Sequence, residues 1–295
     1  MSYMKKKIDL ILACSDLGVH VDGCCVGPEI LFNNINKEDV NNIKIIKQDK
    51  EYIKEKNKEN KKKNLDEINK INEEIYGATK ESLNNDCFPI LIGGDHSVVI
   101  GSSLASIEKY DNMGIIWFDS HADFHTFDTT ETGNIHGLPF AAITGYEKRI
   151  LSEFQNKKYF NFKNAVLFGA RDIDKPNEMN NLVDAGITII TTEDIRKYGI
   201  KEMCKKAFDI VTNGTNGVHI SLDIDSIDPR IAPGVSVPVD DGLNLDELNY
   251  FIDYVLNNRD LIKSFDLVEY NPVLDKDNVT RDIAINILDK MIKNI

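Results

Sequence analysis

Cysteine is scarce in this chain, and its pattern is unpromising for cross-links. The five cysteines, Cys14, Cys24, Cys25, Cys87 and Cys204, are odd in number and form no C-x-x-C pair. That usage excludes a disulfide framework and fits a reducing, cytoplasmic setting. Long apolar runs are also missing. None approaches the roughly 18 residues of a membrane span. The short one after "MSYMKKK" reads as a first strand, not a signal peptide, because no convincing cleavage site follows it. Positive charge is outweighed, with 35 Lys and Arg against 48 Asp and Glu and a net charge of -13. An acidic chain without a basic stripe is a poor partner for a phosphate backbone, which excludes the nucleic-acid binders. Its long-range field favours a cationic small molecule. Linkers rich in proline or glycine and internal repeats are absent as well, so one domain over residues 1–295 is expected.

What the chain does have is a series of short apolar runs. They are "KIDLILAC" (7–14), "NIKIIKQ" (42–48), "FPILIGG" (88–94), "GIIWFDS" (114–120), "AVLFGAR" (165–171), "GITIITTE" (186–193), "GVHISLDIDS" (217–226) and "IKSFDLVEYNP" (262–272). Runs apolar on both faces are the mark of buried parallel strands. Helical spacing appears between them, at 64–86, 97–110, 193–211, 244–258 and 278–294. Alternation of the two predicts an α/β fold with a parallel sheet. The Lys-, Glu- and Asn-rich stretch 47–73 reads as a solvated loop and an exposed helix start.

Polar residues collect where the strands end. "FPILIGG" runs into Asp95-His96-Ser97, and "GIIWF" into Asp119-Ser120-His121-Ala122-Asp123. "GVHISL" runs into Asp223-Ile224-Asp225, and "SFDLV" into Glu269-Tyr270-Asn271. Open α/β sheets bind ligands just beyond these carboxyl ends. A spacing of two puts Asp119, His121 and Asp123 on one face of an extended chain, and likewise Asp223 and Asp225. Burying so many carboxylates together is prohibitive without a partner. Divalent cations remove that cost, and carboxylate with imidazole but no thiolate suits Mn²⁺, with Zn²⁺, Co²⁺ or Fe²⁺ as alternatives. Two ions balance the four aspartates Asp119, Asp123, Asp223 and Asp225. His96 and His121 complete six ligands if Asp119 and Asp223 bridge. A pair about 3.5–4 Å apart can hold a hydroxide nucleophile.

Taken in order, "GGDHS" (93–97), "DSHAD" (119–123), "GNIHG" (133–137) and "SLDIDSIDP" (221–229) resemble the ureohydrolase family of arginase, agmatinase and formimidoylglutamase. The likeness runs from about residue 8 through "EYNP" (269–272) to the end. It implies a three-layer α/β/α domain with a mainly parallel sheet of about eight strands, and two Mn²⁺ per chain. One ion would be held by His96, Asp119, Asp123 and Asp223, the other by His121, Asp119, Asp223 and Asp225. His136 would shuttle protons, Glu269 would pair with the substrate guanidinium, and Asp123 would relay a proton to the leaving amine. The resemblance is closest to arginase, which cleaves arginine to ornithine and urea through a metal-bridging hydroxide. Thr132 and Asn134 would bind the α-carboxylate and Asp174 the α-amino group, contacts that agmatine would not need. His125 stands where arginases carry an asparagine, and Val237 where many carry a threonine. Those departures keep formimidoylglutamase, agmatinase and other guanidino-acid hydrolases open as alternatives. A single-zinc deacetylase-like or noncatalytic metal-binding relative is the reading from a different class. Relatives assemble as trimers or hexamers, so a homo-oligomer is implied.

Overall fold

The computed structural model describes residues 5–55, 57, 59–151 and 158–295. Among these, eight strands follow one another. They are β1 (Ile8–Cys14), β2 (Val40–Lys47), β3 (Phe88–Gly93), β4 (Gly114–Phe118), β5 (Ala165–Ala170), β6 (Thr188–Thr191), β7 (Val218–Asp223) and β8 (Ile262–Val268). Each falls on one of the apolar runs. The helices are α1 (Gly27–Asn34), α2 (Leu65–Asn84), α3 (Val99–Tyr110), α4 (Pro139–Ile143), α5 (Asn177–Ala185), α6 (Thr192–Tyr198), α7 (Ile200–Val211), α8 (Leu245–Asn257) and α9 (Val279–Asn294). No helix among the described residues is long and apolar enough to cross a membrane.

The strands form one sheet in the order β2-β1-β3-β8-β7-β4-β5-β6, and every pairing is parallel. All five residues of β4 are buried, as a strand covered on both faces must be. Its side chains alternate between two cores. Ile116 and Phe118 pack with Phe208 of α7, Phe251 of α8 and Leu288 of α9. Ile115 and Trp117 pack on the other side with Ile71 of α2, Leu104 of α3 and Phe140 of α4. The result is helix, sheet, helix. It matches the α/β fold and the parallel sheet of eight strands expected from the sequence.

Three local expectations need correction. β2 is an edge strand, and Ile43 and Ile45 on it are exposed, so its apolar pattern does not report burial on both faces. The single helix expected over 193–211 is two, because the chain turns at Gly199 with φ +87°. That left-handed conformation suits glycine and ends α6. The early "GPEIL" stretch starts α1, with Pro28 in its first turn, where a missing N–H costs nothing. Finally, the stretch 47–73 is not all solvated. Lys63, Asn64, Leu65, Ile68 and Ile71 are buried.

The sheet order decides where a ligand can bind. From β4 the chain steps outward through β5 to β6, then returns to β7 and β8, which fill the space between β4 and β3. Chain direction along the sheet therefore reverses in its middle, leaving a crevice at the carboxyl ends of the central strands. The four strands there, β3, β8, β7 and β4, are the four that the sequence marked with polar termini.

Candidate metal centre

Each candidate ligand sits one to five residues beyond a central strand, or on its last residue. His96 follows β3, in a short turn capped by Asp95, whose side chain accepts from the Ser97 amide. Its ring is fixed on three sides. The imidazole stacks on Trp117 at 4.0 Å between centroids, Nε2 lies 2.9 Å from Ser221 Oγ, and the backbone amide donates to Glu269 Oε1 at 2.9 Å. Nδ1 is thereby aimed at three carboxylates: Asp119 Oδ2 at 2.9 Å, Asp123 Oδ2 at 3.2 Å and Asp223 Oδ2 at 3.2 Å. None of them is aligned as a hydrogen-bond acceptor for it.

Asp119, just past β4, is held by the Trp117 indole N–H at 3.0 Å and by the His121 amide at 2.7 Å. His121 Nδ1 lies 3.1 Å from Asp225 Oδ2 and 3.5 Å from Asp119 Oδ1. Its Nε2 is buried without a partner. Asp223 ends β7, and one of its oxygens accepts from the Asp225 amide at 2.7 Å. The Asp225 carboxylate in turn accepts from Ser120 Oγ at 2.7 Å. Asp123 and Glu269 both adopt left-handed backbones, φ +50° and +67°. A non-glycine residue there is strained, and such strain collects at functional positions.

Two ligand clusters result: His96 with Asp119 and Asp223, and Asp119 with His121 and Asp225, each with its donor atoms within 4.8 Å of one another. Asp119 belongs to both. Asp223 belongs to one, and Asp123 to neither, although Asp123 touches His96. The residues fit divalent metal. Buried nitrogens of His96 and His121 lack partners, a costly state unless something completes them. The donors are oxygen and imidazole nitrogen only, the set suited to ions such as Mn²⁺.

Electrostatics point the same way. Burial, reinforced by Asp119, pushes Asp123 up to about 7. Burial and the charges of Asp225 and Asp119 raise Asp223 well above the usual carboxylate range. Asp119 moves the other way: burial opposes its charge, but the adjacent His121 and His96 rings outweigh it and hold the carboxyl below the usual range. His96 and His121 are disfavoured as cations by burial, yet their carboxylate neighbours win and raise both. In effect the cluster has more negative charge than its own groups can bear, and borrows protons where a cation would serve.

The remaining expected residues surround one cavity of about 170 Å³, lined by His121, Asp123, His125, Thr132, Asn134, His136, Asp174, Glu178 and Val237 among others. His136 Nδ1 lies 3.3 Å from Glu269 Oε1. Burial disfavours the His136 cation, but the Glu269 contact outweighs it and raises the ring's affinity for a proton. Glu269 itself is buried behind that wall. His125 Nδ1 lies 3.3 Å from Thr129 Oγ1, and Nε2 lies 3.9 Å from Glu178 Oε1. Thr132 Oγ1 accepts from the Asn134 amide at 3.2 Å. Glu178 and Ser221 were missed from the sequence. Glu178 is buried in the first turn of α5 and ties the two walls together, accepting from the Phe124 amide at 2.8 Å and the Asp174 amide at 3.1 Å. Ser221 could have been found from its spacing of two before Asp223. A larger cleft of about 760 Å³ lies beside Arg171, Arg196 and Arg230, and holds none of the six ligands.

Residues 6–293 match the model of the arginase family. The chain belongs to the arginase family. It is a metal-dependent ureohydrolase. A Staphylococcus aureus arginase is 33% identical over 296 residues, with 96% of each chain covered. A Bacillus subtilis arginase is 31% identical over 304 residues, with 98% of each covered. Among solved structures, the native Bacillus caldovelox arginase superposes with a TM-score of 0.90 at 30% identity, covering 97% of this chain and 98% of that one.

Proposed function

We propose that this ureohydrolase is a binuclear manganese enzyme that hydrolyses arginine to ornithine and urea. The observation that carries this reading is a single cavity. His121 and Asp123 line it together with Thr132, Asn134 and Asp174. The first pair belongs to the chemistry of a guanidinium carbon. The other three suit an α-carboxylate and an α-ammonium, which an amine such as agmatine does not present as a pair. Relatives named arginase at 31–33% identity over nearly the full length support the same choice.

His96, Asp119, His121, Asp123, Asp223 and Asp225 would hold the two ions. Bound there, divalent cations supply charge neutralisation and acidify a coordinated water toward neutral pH. The protein's own groups do the rest. Glu269 offsets the guanidinium charge and orients it by hydrogen bonds to its N–H groups. His136, at 3.3 Å from Glu269, takes up and releases protons between the cavity and solvent. Asp123, beside the reacting centre, passes a proton to the departing amine. A homo-oligomer, trimer or hexamer, in the cytoplasm belongs to the same reading.

A second reading rests on His125. An imidazole beside Glu178 changes the carboxylate end of the cavity, and it favours a different amidino acid, such as formimidoylglutamate. Product release from arginine, agmatine, guanidinobutyrate and formimidoylglutamate, measured on manganese-loaded protein, decides between them. Arginine should exceed the others by roughly a hundredfold in kcat/KM, since unpaired carboxylate-binding groups penalise the analogues. Formamide from formimidoylglutamate, with no urea from arginine, would reverse the order.

A further inference from the structure

The lysine-rich stretch expected to be solvent-facing packs against Asn134, a residue of the cavity wall. Lys63 and Asn134 are each only 6% exposed. Lys63 Nζ lies 3.4 Å from Asn134 Oδ1. On the far side of the same amide, Nδ2 lies 3.3 Å from His20 Nδ1. The two segments are also pressed together along their main chains. The Lys63 amide donates to the Gly133 carbonyl at 3.3 Å, and Lys61 Nζ donates to the Glu131 carbonyl at 2.8 Å. Gly133 has φ +73°, and a Cβ there would meet the Asn60 carbonyl oxygen at 2.0 Å. No side chain fits between them, so Asn134 is held in register with Lys63. Asn134 also lines two cavities, the one with His121 and Asp123 and a neighbour of about 510 Å³ lined by Lys63, His20 and Lys54.

An amide has an accepting end and a donating end of nearly equal shape, so its orientation is set by its partners. A lysine ammonium offers three donors and no acceptor. Only the amide oxygen is tolerated against it. With the oxygen claimed by Lys63, the Asn134 NH₂ group faces the other way, with one N–H at His20 Nδ1 and the second left to meet an acceptor. We propose that Lys63 is the positioning residue that fixes the Asn134 amide as a donor and so selects substrates carrying a carboxylate. The identity of the acid rests on the arginine reading; the orienting role does not.

The test compares ornithine with putrescine, which is ornithine without its carboxylate, binding to manganese-loaded full-length protein by calorimetry. The wild type should prefer ornithine. Lys63→Met should cut that preference roughly tenfold, the worth of about one charge-assisted hydrogen bond. Putrescine affinity should stay within about twofold, which a general loss of structure would not allow. Lys63→Arg, which keeps a donor-only head, should restore most of the preference. Should the Met variant fail to fold, Lys63→Gln carries the same expectation, because its amide can accept either orientation of Asn134. A wild type without preference for ornithine, a preference unchanged in both variants, or equal losses for the two ligands would overturn the proposal. Urea release from arginine by the wild type is measured alongside. Its absence with the ornithine preference intact would defeat the arginine reading and leave the role of Lys63 standing.

Discussion

The two ends of the active cavity are built differently. The metal end hangs from the tips of four adjacent strands, and its ligands are locked by buried partners: Trp117 against His96, Ser120 against Asp225, the His121 amide against Asp119. The other end, where the proposed function puts the substrate carboxylate, is made of segments 125–137 and 172–176, braced by Lys63 and Glu178. A site on a sheet's edge keeps its geometry because the strands cannot shift singly. A site on loops can vary one residue at a time. On the proposed function, this division puts reaction and substrate under separate control, so that the second can drift while the first stays fixed.

The sharpest way to break the comparison is at Asp119, the one side chain shared by both ligand clusters. Asp119→Ala should lose both ions and lower turnover by roughly a thousandfold or more, beyond the ten- to hundredfold typical of outer partners. Manganese content by elemental analysis checks it; full retention of metal would remove Asp119 from the centre. His121→Ala comes next. It should empty one position and lower turnover about a hundredfold, while the His96 cluster keeps its ion. Unchanged metal content would count against His121 as a ligand. The smallest effect belongs to the loop end. His125→Asn should leave turnover within about threefold and lower KM for arginine or leave it unchanged, since the amide still donates a hydrogen bond. A collapse of turnover would move His125 into the chemistry and erase the division between the two ends.

The same division governs what could be read from residues alone. Strand positions were legible because buried parallel strands are continuous apolar runs, and polar residues just after them stand out. His96, Asp119 and Asp223 were visible for that reason. β2 misled on burial because an edge strand can carry isoleucines toward water. α1, α4 and α5 were missed, since short helices opened by proline carry too little periodicity to separate from loops. Lys63 and Glu178 were illegible in a stronger sense. Their burial depends on contacts with residues about 70 and 54 positions away, which no local pattern encodes. Between 60 and 64 the lysines look alike, and only packing singles one out.

The strand order has a consequence for how the protein comes into being. β8 lies between β3 and β7 and pairs with both, yet it is the last strand made. Until it inserts, β1–β3 and β4–β7 are two separate sheets, with His96 on one and the other five candidate ligands on the other. Domains assemble during synthesis from the amino end, and such distant pairings form late. A nascent chain therefore cannot capture its full metal complement early. On the proposed two-ion site, full metal uptake would then wait until the closing strand β8 is in place.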